Sequence, residues 1–335
     1  MSEAAPGPDR EAGARDAGAP ASGDQDAGAR PRVGVSSCLL GEPVRFNGGH
    51  SRSRFLTDEL GPYVDWVPYC PEVEIGLGTP RETVRLTDGG RLVNRGGDAD
   101  HTAAMDALPL PAGIDGYVFK AKSPSCGLHG IARYGASGQP ADHRGRGVYA
   151  ARVTGRFPLL PAEDEGRLND PVLREEFTER VFAAARLREL FGRPWQPRDL
   201  VAFHARHKLQ LLAHDPARLR RAGQVVAASG RAARSATEAA YRDLFTAALA
   251  ARATRGRHVN TLQHAFGQIT RELGPARRDD LNARIAGFRR GADPLSVPVA
   301  ILAHYASDGD LPWLAAQTYL EPYPAALRLR HALPR

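Results

Sequence analysis

The chain has 335 residues, 42% of them apolar and 25% charged, a length that favours two domains and a balance ordinary for globular proteins. No apolar run reaches bilayer length, and three cysteines in so long a chain argue against a disulfide framework. The formal charge of +7 is uneven, because residues 195–335 hold 21 Lys and Arg against 11 Asp and Glu, so the basic excess lies in the C-terminal part. Such a half points to an anionic partner, nucleic acid first, although arginines scattered over helices are more often a solvated face.

Residues 1–31, rich in Ala, Gly, Pro and mixed charge, have neither the basic start nor the apolar core of a signal peptide. They are expected to form a disordered tail on a cytoplasmic protein without membrane association. From residue 32 to 193 short β-type runs alternate with Gly/Pro loops, predicting an α/β domain with a mostly parallel sheet. Its expected strands are "RVGVSS", "YVDWVPY", "ETVRL", "GYVFKA" and "GVYAARV"; helical turns fit Ser53–Glu59 and "HTAAMDAL". A long helix follows, with Asp170 as cap, Pro171 in its first turn, Gly192 at its stop, and a buried stripe of Leu173, Phe177 and Val181. The two prolines of "RPWQPRD" place a linker at 194–199. Residues 200–330 then read as an all-α domain of about six helices. The sequence fixes no oligomeric state.

Each cysteine ends or follows an expected strand. Cys38 closes "VGVSSC", Cys70 closes "DWVPYC", and Cys126 follows "GYVFKAKSPS". Carboxyl ends of parallel strands share one rim, where ligands bind, so three thiols far apart in sequence can meet there. Three thiolates on a 4Fe-4S cluster leave one iron open to substrate. With His129, spaced Cys-x-x-His from Cys126, they would instead close a tetrahedral zinc site in a binding module. Plain buried thiols are the third reading, and the spacing alone leaves all three open.

The motifs "VSSCLLGEPVRFNGG", "VPYCPEVEIGLGTPRE" and "FKAKSPSCG", in that order, resemble the thiouracil desulfurase family over residues 32–160. The resemblance implies non-redox removal of sulfur from a thiolated pyrimidine, free base or nucleoside, at a 4Fe-4S cluster whose open iron takes the sulfur. It implies Cys38, Cys70 and Cys126 as cluster ligands, Glu72 as acid/base and Ser123 as a second active-site group. Arg45, Lys120 and Lys122 are candidates to offset cluster charge or bind an anionic substrate group. The bland readings are a Glu72 salt bridge to Arg81 or Arg85, serines that shape a turn, and lysines that keep an edge strand soluble. The family's first motif often has Cys, Tyr and Asp where this chain has Val44, Phe46 and Asn47, which puts substrate identity in question.

The second half resembles the YbgA-like helical family through "FHARHKLQLLAHDP", "HVNTLQHAFG" and "YLEPYPAALRLR". His204 and His207, one helical turn apart, could share a metal, but no carboxylate pattern completes a site and structural histidines are the expectation. The arginine-rich helices and His204–Lys208 are candidates to bind the backbone of tRNA or another nucleic acid. Besides the desulfurase and the zinc module, a catalytically silent interaction protein and a redox carrier fit the same cysteines.

Overall fold

The structure is a computed structural model that describes residues 30–309 and 311–331. The expected N-terminal tail lies outside the described residues except for Arg30, which pairs with Asp65, and Pro31, whose carbonyl accepts from Asp65 N. The first half runs β1 (Arg32–Ser36), β2 (Asp65–Tyr69), α1 (Pro71–Glu74), β3 (Val84–Thr87), β4 (Leu92–Asn94), α2 (Thr102–Ala107), β5 (Gly116–Phe119), β6 (Ile131–Tyr134), β7 (Pro140–Gly145), α3 (Val148–Arg156) and β8 (Ala162–Asp164). A π-helical turn covers Phe55–Leu60.

Two four-stranded sheets result. The first, in the order β2-β1-β5-β8, is parallel throughout; the second, β4-β3-β6-β7, is mixed. Alternation along β1 and β5 sends Val33, Val35 and Val118 into one core, whereas Tyr117 and Phe119 enter another with Cys126 and Tyr149. β1 passes this second core at Gly34, where a Cβ would lie 2.3 Å from the Tyr117 ring. Only glycine leaves room for that tyrosine.

"GVYAARV" is helical rather than extended. Val148, Tyr149 and Val153 favour strands in isolation, but here Tyr149, Ala150 and Val153 bury one helical face. The first amides of α3 also find carbonyls outside the helix: Val148 N bonds Pro124 O at 3.1 Å and Tyr149 N bonds Ser125 O at 3.0 Å. Tertiary bonding of amides that a helix start leaves unpaired overrides the local preference. β5 has β1 and β8 on either side, so Lys120 does not flank a sheet edge as one reading of it required.

Helix α4 (Pro171–Phe191) starts on Asp170, whose side chain accepts from Val172 N and Leu173 N, and ends at Gly192. It serves both halves: Phe177 and Val181 pack into the sheet core, while Ala183, Leu187 and Leu190 pack against the helical domain. Then come α5 (Pro197–His214), α6 (Pro216–Ala228), α7 (Arg234–Ala250), α8 (Arg255–Ile269), α9 (Pro275–Arg290), α10 (Ser296–Asp308) and the short α11 (Pro312–Ala315). The fold is thus an α/β domain with a parallel sheet followed by an all-α domain. Trp195, between α4 and α5, is buried and donates to Glu238. The C-terminal segment crosses back, placing Tyr323, Leu327 and Leu329 in the sheet core.

Candidate active site at the carboxyl rim of the parallel sheet

The three cysteine-bearing strands are neighbours. β2, β1 and β5 lie side by side and parallel. Cys38 follows β1 in a tight turn, Cys70 follows β2 and caps α1, and Cys126 lies within the loop between β5 and β6. All three are free thiols, two of them buried. Burial, then the neighbouring Cys70, pushes the Cys38 thiol up to about 11, with Lys120 and Arg45 opposing. Burial pushes Cys126 well above the usual thiol value, with Glu72 and Cys70 adding to it. The thiols therefore act on one another, and three thiolates there would need a cation to balance them.

No three His, Cys, Asp or Glu side chains among the described residues converge as they would around a single ion. The ligands of a cluster bind different irons and need not share one coordination sphere. The buried, soft, three-sulfur donor set thus fits an iron–sulfur group. His129, the fourth ligand of the zinc reading, is half exposed, with its ring 3.6 Å from Glu163.

The loop carrying Cys126 is held from three sides. Ser123 Oγ accepts from Ser125 N at 3.2 Å and Cys126 N at 3.1 Å, so this serine does shape the turn. Its own hydroxyl hydrogen remains available to donate. Buried Asp164, at the end of β8, accepts from Leu128 N at 2.8 Å and His129 N at 3.1 Å. Gly147, at the start of α3, donates to Gly127 O at 2.7 Å, and a Cβ there would sit 2.6 Å from the Ser125 carbonyl.

Glu72 lies in the first turn of α1, two residues past Cys70. Oε2 takes both Arg81 Nε at 2.9 Å and Arg81 Nη2 at 2.6 Å. The pair is largely shielded, with side chains 13% and 7% exposed for Glu72 and Arg81, which is not how an ordinary surface bridge sits. Its charge reaches both Cys70 and Cys126. A carboxylate fixed through one oxygen and near enough for its charge to act on the thiols is suited to handle a proton there. Lys120 pairs with Glu165, whose other oxygen accepts from Ala121 N. Lys122 is exposed and takes a left-handed backbone at φ 61°. Of the three departures from the family motif, Val44 offers its carbonyl 4.0 Å from Cys70 Sγ, Phe46 is exposed beneath Arg45, and Asn47 bonds Gly49 N.

Sequence reasoning passed over several residues at this rim. Ser36 accepts from Lys120 N at 3.0 Å and opposes the upward push of burial on the Cys126 thiol. Glu165, Asp164, Tyr69 and Tyr117 are the others. Glu165 and Asp164 bond residues distant in sequence, and the two tyrosines meet Tyr149 only through ring contacts, so no local pattern marks them. A cleft of about 390 Å³, lined by Ser51, Glu165 and Arg174 among others, adjoins the rim, since Ser51 N donates to Cys38 O at 2.8 Å. A larger one of about 510 Å³ lies between Pro171–Arg174 and the C-terminal segment.

In the helical half the histidines act separately. His204 meets the Tyr241 hydroxyl at 3.1 Å, while fully buried His207 bonds Phe203 O at 2.7 Å and stacks on the Phe203 ring. No helix among the described residues is long and apolar enough to cross a membrane.

With this geometry in view, comparison with known proteins assigns the first half. A family model described as 2-thiouracil desulfurase matches residues 33–165. Residues 33–165 belong to the 2-thiouracil desulfurase family. Behind this segment, residues 208–324 match a family of unknown function, DUF1722. Two curated relatives are similar. The uncharacterized protein YbgA of Escherichia coli K12 is 30% identical over 154 residues, covering 46% of this chain and 91% of YbgA. The uncharacterized protein YbbK of Bacillus subtilis 168 is 31% identical over 154 residues, covering 41% of this chain and 97% of YbbK. A solved structure of the 4Fe-4S-dependent thiouracil desulfidase TudS is 30% identical, covering 42% of this chain and 94% of that one. Its TM-score of 0.34 is too low for geometric comparison.

Proposed function

We propose that the protein is an iron–sulfur-dependent desulfurase that hydrolyses the C–S bond of a thiolated pyrimidine. The observation that carries this reading is the meeting of Cys38, Cys70 and Cys126 beside Glu72 on one rim of the parallel sheet, within the segment that matches the desulfurase family. In the net reaction water supplies the oxygen that replaces sulfur on the ring carbon. Sulfur leaves as hydrosulfide, and no electrons are transferred.

The three thiols would hold a 4Fe-4S cluster, which supplies when bound a soft iron that takes the thiocarbonyl sulfur and leaves the ring carbon electron-poor. The chain's own groups do the proton work. Glu72, steadied by Arg81, takes a proton from the attacking water and returns it to the departing sulfur. The Ser123 hydroxyl orients the ring or the water through its remaining hydrogen. Arg45 and Lys120 offset negative charge beside Cys38. The basic helical domain would bring the substrate as part of a tRNA or another polynucleotide, with His204–Lys208 on α5 as one binding segment.

Anaerobic purification with iron and acid-labile sulfide determination tests the cofactor, and hydrosulfide release from thiouracil and a thiolated uridine tests the reaction. About four irons and four sulfides per chain are expected, lost in Cys70→Ala, together with turnover. A loaded protein that releases no hydrosulfide from any of these substrates would overturn the catalytic reading.

A further inference from the structure

Three hydroxyl oxygens beside the thiols are shut off from solvent and have no hydrogen-bond partner among the described residues: Tyr69 Oη, Tyr117 Oη and Ser125 Oγ. A buried hydroxyl left unpaired costs on the order of 1–3 kcal/mol. Three of them around one site mark a place where something polar belongs.

Tyr117 is the most constrained. It is 1% exposed and packs in the same apolar cluster as Cys126. Its ring stacks on Phe119 at 4.0 Å, meets Tyr149 edge-on at 6.4 Å, and fills the space that Gly34 leaves in β1. The ring therefore cannot swing its hydroxyl out to water. The titratable side chains that act on this hydroxyl are Cys126 first, then Tyr149, Tyr69 and Cys70. Tyr69 immediately precedes Cys70, pairs in register with Ser36, and stacks on Tyr149 at 5.1 Å. Tyr149 differs from both, because its hydroxyl already donates to Pro109 O at 3.4 Å. Two tyrosines with idle donors thus flank two of the three thiols, on the inner side of the rim.

We propose that Tyr117, seconded by Tyr69, donates its phenolic hydrogen to sulfur of the cluster on the Cys126 and Cys70 side, as a positioning residue for the desulfurase site. The assignment rests on the cluster reading above. Hydrogen bonds to cluster sulfur raise the reduction potential by drawing electron density from the irons. An electron-poorer iron is also a better acceptor for the substrate's sulfur.

The full chain, purified anaerobically as wild type, Tyr117→Phe, Tyr69→Phe and Tyr149→Phe, is assayed for iron content, midpoint potential and Fe–S stretching frequencies by resonance Raman. Phenylalanine keeps the ring packing and removes only the hydroxyl. Loaded Tyr117→Phe is expected to show a more negative potential and shifted Fe–S bands, Tyr69→Phe a smaller change in the same direction, and Tyr149→Phe none. Wild-type potential and bands in loaded Tyr117→Phe would overturn the assignment while leaving the cluster intact. A wild type that takes up no iron would remove both the assignment and the cluster reading, and iron content separates the two failures. If Tyr117→Phe does not load, difluorotyrosine placed at position 117 keeps the ring and strengthens the donor. A positive shift of potential then supports the proposal, and an unchanged one overturns it.

Discussion

At the scale of single residues, Glu72 is the group on which the chemistry turns. Its position depends on Arg81, which binds one carboxylate oxygen through two nitrogens. Glu72→Gln keeps the size of the side chain and one acceptor for Arg81 but cannot carry a proton. Turnover on thiouracil should fall by roughly 10²–10⁴-fold, the usual contribution of a positioned acid/base, at unchanged iron content. A variant as fast as wild type would transfer the proton work to another group. Ser123→Ala has a different signature. It removes the acceptor for the amides of Ser125 and Cys126, each costing about 1–3 kcal/mol if left unpaired. Iron retention should therefore drop along with rate, and iron assays after mild chelation check this. Glu72 and Ser123 became candidates through the resemblance of their motifs, CPE and SPSC, to the desulfurase family, not through their spacing from a cysteine. Ser36 was not a candidate, because Cys126, whose thiol it acts on, lies several strands further along the chain.

At the scale of elements, the cysteine rim depends on α3. This helix turns its unpaired amides toward the Ser-Pro-Ser-Cys loop, and Gly147 lets the two backbones touch. Gly147→Ala should destabilise the protein by about 1–3 kcal/mol, the usual range for forced overpacking, read by denaturant unfolding, and should loosen iron binding as the loop shifts. Normal stability and iron content would show that the loop can yield. The strands β1, β2 and β5 were legible because each is a short apolar run ended by a loop, and their shared rim followed from being parallel. β4, β6, β7 and β8 were not. β7, for example, reads "PADHRG" and leaves only its last residue buried, so nothing apolar marks it; antiparallel pairing with β6 forms it. The helices of the second half were legible from Ala-rich periodic segments broken by Gly and Pro. One of their consequences was hidden: His207 and His258 are buried among aromatic rings. Burial lowers each to about 3 from the ordinary histidine value of 6.5. The folded state then refuses protons that the unfolded chain accepts below pH 6.5, so the stability these residues contribute is present above 6.5 and is lost as pH falls toward about 3. Denaturant melts at successive pH values should decline more steeply below pH 6.5 for wild type than for His207→Phe. Parallel curves would place the acid sensitivity elsewhere.

At the scale of the whole molecule, the charge is divided. Residues 195–335 carry 21 basic against 11 acidic side chains, and the site lies in the other part. The two parts are joined by more than a linker, since α4 contributes to both cores and Tyr323, Leu327 and Leu329 return to the sheet. A polynucleotide held by the helical half would therefore stay tethered to the body that carries the thiols. The exposed cations Arg206 and Lys208 on α5 lie in the segment His204–Lys208. If that segment meets phosphates, affinity of the full chain for tRNA should drop steeply between about 50 and 200 mM salt, as phosphate neutralisation releases counterions. Reversing both charges, Arg206→Glu with Lys208→Glu, should weaken binding and flatten the slope of log affinity against log salt by about 2, near 0.9 for each phosphate no longer neutralised. Desulfuration of free thiouracil by the same variant should be unchanged, because neither side chain is at the rim. Equal slopes for variant and wild type would move the phosphate-binding groups off α5. Binding insensitive to salt would remove the polynucleotide from the reading altogether, leaving a free base or nucleoside as substrate and the net positive charge of the helices as a solvated surface.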